Sequence, residues 1–213
     1  MNPTLLKITS LCVTILIVFV AYYGSYLPFQ KSRAFIKSMR DLGTSASIQD
    51  FKKNSSIPLD LKSPIGQEEL VQQLASVTLN VVQNTDNPQI IKELVNHLES
   101  YYAPIFEGNR SIGLGQSLYV VGSVNELAFL KTQERPYFES AKKYFAKALE
   151  LGPRRPQSLY GSFDLYRLEG NVEETKKIVD QILTQWPGDE KTRNLLKEFL
   201  EQINLKLKSG GNG

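Results

Sequence analysis

The chain of 213 residues contains few side chains that could perform chemistry, because it has one histidine, His97, and one cysteine, Cys12. A single cysteine excludes an intrachain disulfide and any zinc site built from several thiolates. A single histidine likewise excludes a two-histidine metal site. The sequence therefore predicts a protein without a metal or a cofactor, and one that is not an enzyme.

Other catalytic patterns are also missing from the sequence. A serine–histidine relay would have to use His97, which lies within a predicted helix and is expected to be a partly exposed surface residue. The Gly-Leu-Gly at 113–115 is a fragment of a dinucleotide fingerprint with no strand before it, which favours a loop. Adjacent glutamates at 68–69 and 173–174 fall in first helical turns, where the helix dipole stabilises them. We expect no catalytic residue among these groups.

The first element that the sequence predicts is a membrane anchor. No charged residue occurs from Ile8 to Gln30, and about 20 mostly apolar residues suffice to cross a bilayer. Tyrosines, which favour the lipid–water boundary, lie at one end of the run, at Tyr22, Tyr23 and Tyr26. The alternative is a cleaved signal peptide, but bulky residues surround Ala21, where a peptidase needs small ones. We expect a single-pass anchor over residues 1–29 that contacts the lipid bilayer through residues 8–29.

The basic residues beside this span bear on its orientation. Four of them follow the span, at Lys31, Arg33, Lys37 and Arg40, whereas only Lys7 and the terminal amine precede it. The positive-inside rule therefore places the C-terminal part in the cytoplasm. Long domains translocate largely regardless of charge, so the sequence leaves both sides of the membrane open.

Residues 30–66 are predicted to form a juxtamembrane helix and a linker. The stretch 30–41 has a helical pattern, and two readings of it stay open: a helix on the membrane surface, or a solvated continuation of the anchor. Residues 42–66 are rich in Gly, Ser, Pro and Lys, which is typical of a linker, with one helical turn at Ile48–Lys53.

The remainder, residues 67–208, is predicted to be all-α, followed by a flexible tail over 209–213. Apolar residues recur at helical spacing, and Pro and Gly separate the segments. Pro104 is expected to end one helix, and Gly108, Gly113 and Gly115 to form the next loop. The expected helices are Gln67–Asn84, a segment opened by Asn87 and Pro88, Leu118–Leu130, segments that start at Pro136, Pro156 and Asn171, and Asp189–Leu207.

Two segments of this region align at an offset of 34 residues. The offset aligns Ala141 with Thr175, Phe145 with Val179, Ala148 with Ile182, and Pro153 with Pro187. The first set resembles the tetratricopeptide repeat (TPR), which places a small residue, an aromatic, an alanine and a proline at this spacing. The resemblance covers residues 118–187 and implies a TPR-like α-solenoid of antiparallel helix pairs. Residues 67–131 are either degenerate repeats or a non-repeat cap, and the last helix resembles a capping helix.

The resemblance also implies a binding surface, because the first helices of such units line a concave groove. Its groove positions fall on Gln157, Tyr160, Asp164 and Arg167, where a protein or peptide partner is expected. The family's carboxylate clamp uses Asn where Gly161 stands here. A net charge of +3 gives no reason to expect nucleic acid. The prediction is a non-catalytic, membrane-anchored TPR-like scaffold for protein–protein interaction.

A second resemblance covers the whole chain. A span, a basic helix, the segment 47–53 and the Gly-Gln-Glu-Glu-Leu at 66–70 before helical repeats are similar to the C-terminal part of bacterial O-antigen ligase/polymerase-like membrane proteins. This resemblance implies a bacterial envelope setting, in the inner membrane. It supplies the alternative function, an accessory module of an envelope polysaccharide assembly system that acts beside a separate polytopic enzyme.

Overall fold

A computed structural model describes residues 3–42, 47–108 and 114–210, with the side chains of 209–210 excepted. Every secondary-structure element in these ranges is helical, so the all-α prediction is confirmed. The chain divides into unit 1, which comprises Met1–Val77 and Lys92–Ser111, and unit 2, which comprises Thr78–Ile91 and Ile112–Gly213.

Unit 1 begins with one continuous helix of 40 residues, Pro3–Leu42, which is long and apolar enough to cross a membrane. Helix α1 is Pro3–Ala21, a π-helical turn follows at Tyr22–Tyr26, and α2 is Leu27–Leu42. No residue of α1 is buried. The π turn lies immediately before Pro28, whose missing N–H interrupts the α-helical ladder, and the N–H of Leu27 bonds to the carbonyl of Tyr22 instead.

Helix α2 continues α1, as one of the two readings of residues 30–41 predicts. It is not simply solvated, because it buries Lys31, Ser38 and Leu42 and packs on the next helix. The other reading, a helix on the membrane surface, stays a prediction. The Lys31 ammonium donates to the carbonyl of Leu61 at 2.9 Å and contacts the side-chain oxygen of Gln67. One of the four flanking cations is therefore used inside unit 1.

Helix α3, Ile48–Asp60, lies where the sequence predicted a linker with one helical turn. Ser47 caps it by accepting a hydrogen bond from the backbone N–H of Asp50 at 3.1 Å. Pro58 lies inside the helix and cannot bond the carbonyl of Asn54. The buried Ser38 hydroxyl of α2 donates to that carbonyl at 2.6 Å. A hydrogen bond from another helix thus replaces the one that Pro58 cannot make. Local composition does not predict this bond.

Two further helices are α4, Gln67–Gln83, and α5, Pro88–Gly108. Asn87 caps α5 as predicted, since its side-chain oxygen accepts from the backbone N–H of Gln89 at 3.0 Å. The prediction that Pro104 ends this helix is wrong, because α5 passes through it to Gly108 while Tyr102 is fully buried. Of the predicted glycine loop, Gly113 lies outside the described residues, and Gly115 lies in the first turn of α6.

The helices of unit 2 are α6, Leu114–Thr132; α7, Arg135–Leu151; α8, Pro156–Glu169; α9, Val172–Gln185; and α10, Glu190–Gly210. The pairs α6–α7 and α8–α9 pack together, α7 packs on α8, and α9 packs on α10. This is the TPR-like succession of helix pairs that the 34-residue offset predicts. Helix α10 continues past its predicted end at Leu207.

The repeat positions are buried as a helix-pair register requires. Ala141 and Ala148 of α7 have no exposed surface, and Thr175 and Ile182 take the equivalent places in α9. Phe145 is 1% exposed, and its ring lies against two glycines on different helices. A Cβ atom added at Gly122 of α6 or Gly161 of α8 would lie 2.7 Å from a ring carbon. Glycine at both positions therefore lets one aromatic ring fill the space between the two helices.

Candidate functional site

A concave surface of unit 2 is formed by α6 and α8, the first helices of the two pairs, together with the last helix, α10. It contains a cavity of about 420 Å³. Its lining includes Glu126 and Leu127 on α6, Asp164 and Arg167 on α8, and Phe199 on α10. We call this cavity the α6–α8–α10 groove. Two of the four predicted binding residues, Asp164 and Arg167, therefore lie in it.

Glu126 is the acidic side chain that the sequence prediction missed. It is half-buried in α6, and burial raises the pKa of its carboxyl to about 7, with the negative charge of Asp164 as the second cause. No ion pair or hydrogen bond holds the Glu126 side chain within the described part of the chain. The sequence did carry one signal, since Glu126 is the single charged residue between Leu114 and Leu130.

Asp164 and Arg167 pair with each other, as their spacing predicts. The Arg167 guanidinium lies 3.3 Å from an oxygen of Asp164, with the Asp164 side chain 53% exposed. The same guanidinium lies over the ring of Phe163, 5.1 Å from its centroid. An exposed pair of this kind contributes less than about 1 kcal/mol to stability. The pair is therefore available to exchange its internal contact for a ligand.

Gln157 and Tyr160 are not among the residues that line this cavity. Gln157 is exposed near the start of α8. The Tyr160 hydroxyl donates to Asp189 at 2.6 Å, and its ring stacks on Trp186 at a centroid distance of 6.1 Å. The hydrogen bond to Asp189 is the main cause that raises the pKa of the Tyr160 hydroxyl.

The Asp189 carboxylate also accepts two hydrogen bonds from Thr192, one from the hydroxyl at 2.6 Å and one from the Thr192 backbone N–H at 3.1 Å. This arrangement ties α8 to the start of α10. Tyr160 therefore has a structural contact that the groove pattern did not predict. Trp186 packs partly buried against the core of α8 and α9.

His97 has a serine partner, but the geometry is structural. In unit 1, the Ser55 hydroxyl lies 2.8 Å from the Nε2 atom of His97 and 2.8 Å from the carbonyl of Phe51. The hydroxyl has one proton, which the Phe51 carbonyl accepts, so the hydroxyl accepts from the imidazole. Ser55 is 3% exposed, and burial lowers the pKa of His97. The pair therefore fastens α3 to α5.

The comparisons with known proteins add little to this description. No family model matches the chain, and no curated protein matches it. Among solved structures, it is similar to a tetratricopeptide repeat protein from Parabacteroides merdae ATCC 43184. The two share 14% sequence identity over 85% of this chain and 77% of that protein, with a TM-score of 0.38. Similarity at this level carries no functional argument, and the helical-repeat description rests on the helix pairs themselves.

Proposed function

We propose that this protein is a non-catalytic scaffold that is anchored in a membrane by α1 and holds a partner protein in the α6–α8–α10 groove. The observation that carries the proposal is the groove itself, a cavity where α6, α8 and α10 converge around Glu126, Asp164 and Arg167. Helical-repeat proteins use such concave surfaces to bind extended or helical segments. The anchor rests on the length, composition and exposure of the helix Pro3–Leu42.

The charges in the groove favour a partner segment with a basic side chain. Two carboxylates face one guanidinium, and Glu126 has no described cation to neutralise it. A lysine or arginine of the partner would stabilise the ionised form of Glu126 and lower its pKa. Leu127 and Phe199 supply apolar surface beside the charges. We therefore assign the role of specificity to Glu126 and Asp164, and treat Gln157 and Tyr160 as a neighbouring contact surface.

Site-specific photocrosslinking in native membranes tests this function. A photoreactive phenylalanine analogue at Leu127 is expected to capture one partner, whereas the same analogue at the exposed Ala146 of α7 is not. Glu126→Gln with Asp164→Asn should reduce the capture at Leu127 by about tenfold or more, because charge complementarity is lost. Tyr160 is left intact in this variant, since its contact with Asp189 supports the fold. Equal capture at Leu127 and Ala146, or capture at Leu127 that the double variant leaves unchanged, would contradict partner binding in the α6–α8–α10 groove.

The identity of the captured protein separates the two proposed settings. A polytopic glycosyl-transfer enzyme would favour the accessory role in bacterial envelope polysaccharide assembly. Any other protein would favour a scaffold outside that system. The compartment of the captured protein also reports which side of the membrane unit 2 faces.

A further inference from the structure

The exposed face of α2 differs sharply from its buried face. Lys31, Ser38 and Leu42 point into unit 1. The opposite face is exposed, and its residues follow helical spacing i, i+4, i+7, i+8 and i+11: Phe29, Arg33, Ile36, Lys37 and Arg40. We call this set the basic face of α2. The acidic residue of α2, Asp41, lies outside it.

The basic face combines cations with apolar side chains that are exposed. Phe29 is 58% exposed and Ile36 is 54% exposed, and both alternate with the three cations. A shallow groove of about 670 Å³ runs along the same face from Tyr26 to Arg40. Exposed apolar and basic residues together are typical of surfaces that contact a lipid interface, where the apolar groups enter the headgroup boundary and the cations meet phosphates.

The position of this face along the chain identifies its occupant. It follows without a break from α1 and from three tyrosines that are 44–51% exposed. At about 1.5 Å per residue, Arg33 lies roughly 6 Å beyond Phe29 and Lys37 roughly 12 Å beyond it. A headgroup layer is about 5–8 Å thick and a Debye length is about 8–10 Å in physiological salt. Arg33 and Lys37 therefore fall where the field of an anionic membrane surface is strong, and Arg40, roughly 16 Å beyond Phe29, lies near its outer limit.

We propose that the basic face of α2 binds the headgroups of anionic phospholipids in the leaflet that α1 reaches at its C-terminal end. The inference rests on the proposed membrane anchor and goes beyond it, since a span alone has no preference among headgroups. Arg33 and Lys37 bind the phosphates, Phe29 enters the boundary beside them, and Arg40 adds to the positive potential farther from the bilayer. Lys31 takes no part, because the Leu61 carbonyl and Gln67 hold its ammonium.

The test uses the full chain reconstituted in phosphatidylcholine vesicles that contain a trace of spin-labelled lipid. Electron paramagnetic resonance measures how strongly labelled phosphatidylglycerol associates with the protein relative to labelled phosphatidylcholine. We expect a preference of about two- to threefold for phosphatidylglycerol at low salt, and its loss at 0.5 M NaCl because the interaction is electrostatic. The variant Arg33→Gln, Lys37→Gln, Arg40→Gln should bind both lipids equally.

A second triple variant controls for net charge. Lys176→Gln, Lys197→Gln, Lys208→Gln removes three exposed cations from unit 2 and should keep the lipid preference of the parent chain. Equal association of both lipids with the parent chain, or a preference that survives the α2 variant, would overturn the inference. Extraction of each sample with alkaline carbonate distinguishes this failure from that of the anchor. A parent chain that carbonate removes from the vesicles refutes the anchor as well, whereas a retained chain without preference refutes only the headgroup site.

Discussion

The two units both contain polar links between helices, but they differ in how closely their helices approach. In unit 2, α6, α7 and α8 meet through small residues and one aromatic ring, with Phe145 held between Gly122 and Gly161, and polar links such as Lys142 to Glu169 at 2.8 Å are added to this packing. In unit 1, side-chain hydrogen bonds join α2, α3 and α5 in addition to apolar packing: Ser38 to a carbonyl of α3, Ser55 to His97, and Tyr101 to Asp60. Close apolar packing repeats at a fixed period and is visible in a sequence, whereas specific polar links are not. The two units are also expected to respond oppositely to pH, because burial raises the pKa of Glu126 in unit 2 and lowers the pKa of His97 in unit 1.

The largest expected effect tests the repeat register of unit 2. Ala148→Trp inserts an indole where the alanine has no exposed surface, between helices that have no room for it. We expect a loss of at least about 3 kcal/mol in the free energy of unfolding, enough to unfold the unit. Urea titration followed by far-UV circular dichroism measures it, because the inserted tryptophan would add its own signal to the fluorescence of Trp186.

Ala146→Trp is the matched control for this overpacking, because Ala146 lies two residues earlier in α7 and is exposed. It should change stability by less than about 0.5 kcal/mol. Equal stability of the Ala148 and Ala146 variants would show that the register derived from the 34-residue offset is wrong.

The next effect concerns the aromatic ring between α6 and α8. Gly161→Ala places a Cβ atom 2.7 Å from the ring of Phe145, which is 1% exposed and has no room to move. We expect a cost of about 1–3 kcal/mol from overpacking. Trp186 fluorescence is a direct probe here, because the chain has one tryptophan and it lies in unit 2.

A double-mutant cycle with Phe145→Leu sharpens the test at Gly161. The cost of Gly161→Ala should fall in the Phe145→Leu background, because the smaller side chain leaves room for the Cβ atom. Gly108→Ala is the control for glycine replacement in a helix, since nothing lies within 4 Å of its added Cβ, and circular dichroism follows it because Gly108 lies in unit 1. An undiminished cost in the leucine background would remove Phe145 from the explanation.

Unit 2 is expected to lose stability as the pH rises. The pKa of Glu126 is about 7 in the folded chain against an ordinary value of 4.5, so the folded state binds the proton more tightly than the unfolded state. Stability from this group is complete below about pH 4.5 and is lost as the pH rises to about 7. Glu126→Gln should therefore stabilise unit 2 at pH 8 by on the order of 1–2 kcal/mol and have no effect at pH 4.

Urea titration of Trp186 fluorescence at the two pH values measures the effect of Glu126→Gln. Glu201→Gln on the exposed surface of α10 should leave stability within about 0.5 kcal/mol at both pH values. A stabilisation of equal size at pH 4 and pH 8 would rule out titration of Glu126 as the cause.

The smallest effect has the opposite sign and lies in unit 1. Burial lowers the pKa of His97, and the charge of Lys52 adds to the effect against that of Asp60. The folded state therefore favours the neutral imidazole, and stability that is present above about pH 6.5 is lost as the pH falls below it. His97→Gln should abolish this dependence, because an amide does not titrate in this range. Its N–H can still donate to Ser55, so stability at pH 7.5 is kept, whereas His97→Ala should cost about 1 kcal/mol at that pH.

Trp186 does not report on unit 1, so the stability of this part of the molecule is measured by hydrogen exchange. The exchange rates of the amides in α3 and α5 are corrected for the intrinsic rate at each pH. Protection in the parent chain should decrease between pH 7.5 and 5.5, and protection in His97→Gln should stay constant. A decrease of the same size in both proteins would assign the acid sensitivity to another group.

Sequence reasoning recovered the parts of the fold that depend on local periodicity. The helical pattern, the caps at Asn87 and Asn171 and the buried alanines of α7 all appear where the pattern predicts them. It missed α3, because serine and proline are typical of loops and the compensation for Pro58 comes from Ser38 on another helix. It also ended α5 at Pro104, whereas the helix continues to Gly108.

The candidate site divides in the same way. Asp164 and Arg167 follow from their register in α8, and they line the groove. Tyr160 shares that register, but its hydroxyl bonds Asp189, which lies 29 residues away in the chain. Glu126 belongs to a different helix pair, and its carboxyl receives its raised pKa only because α6, α8 and α10 converge on it.

The sequence by itself determined the apolar N-terminal helix, the all-α class and the repeat register of α7 to α9, because each depends on residue types at fixed local spacing. The tertiary structure decided which polar groups meet, namely Ser38 with a proline-vacated carbonyl, His97 with Ser55, and Glu126 with Asp164. The physical reason is the separation along the chain of the residues involved. Helical periodicity is a property of neighbouring residues, whereas a hydrogen bond or a raised pKa depends on groups that folding brings together from distant parts of the chain.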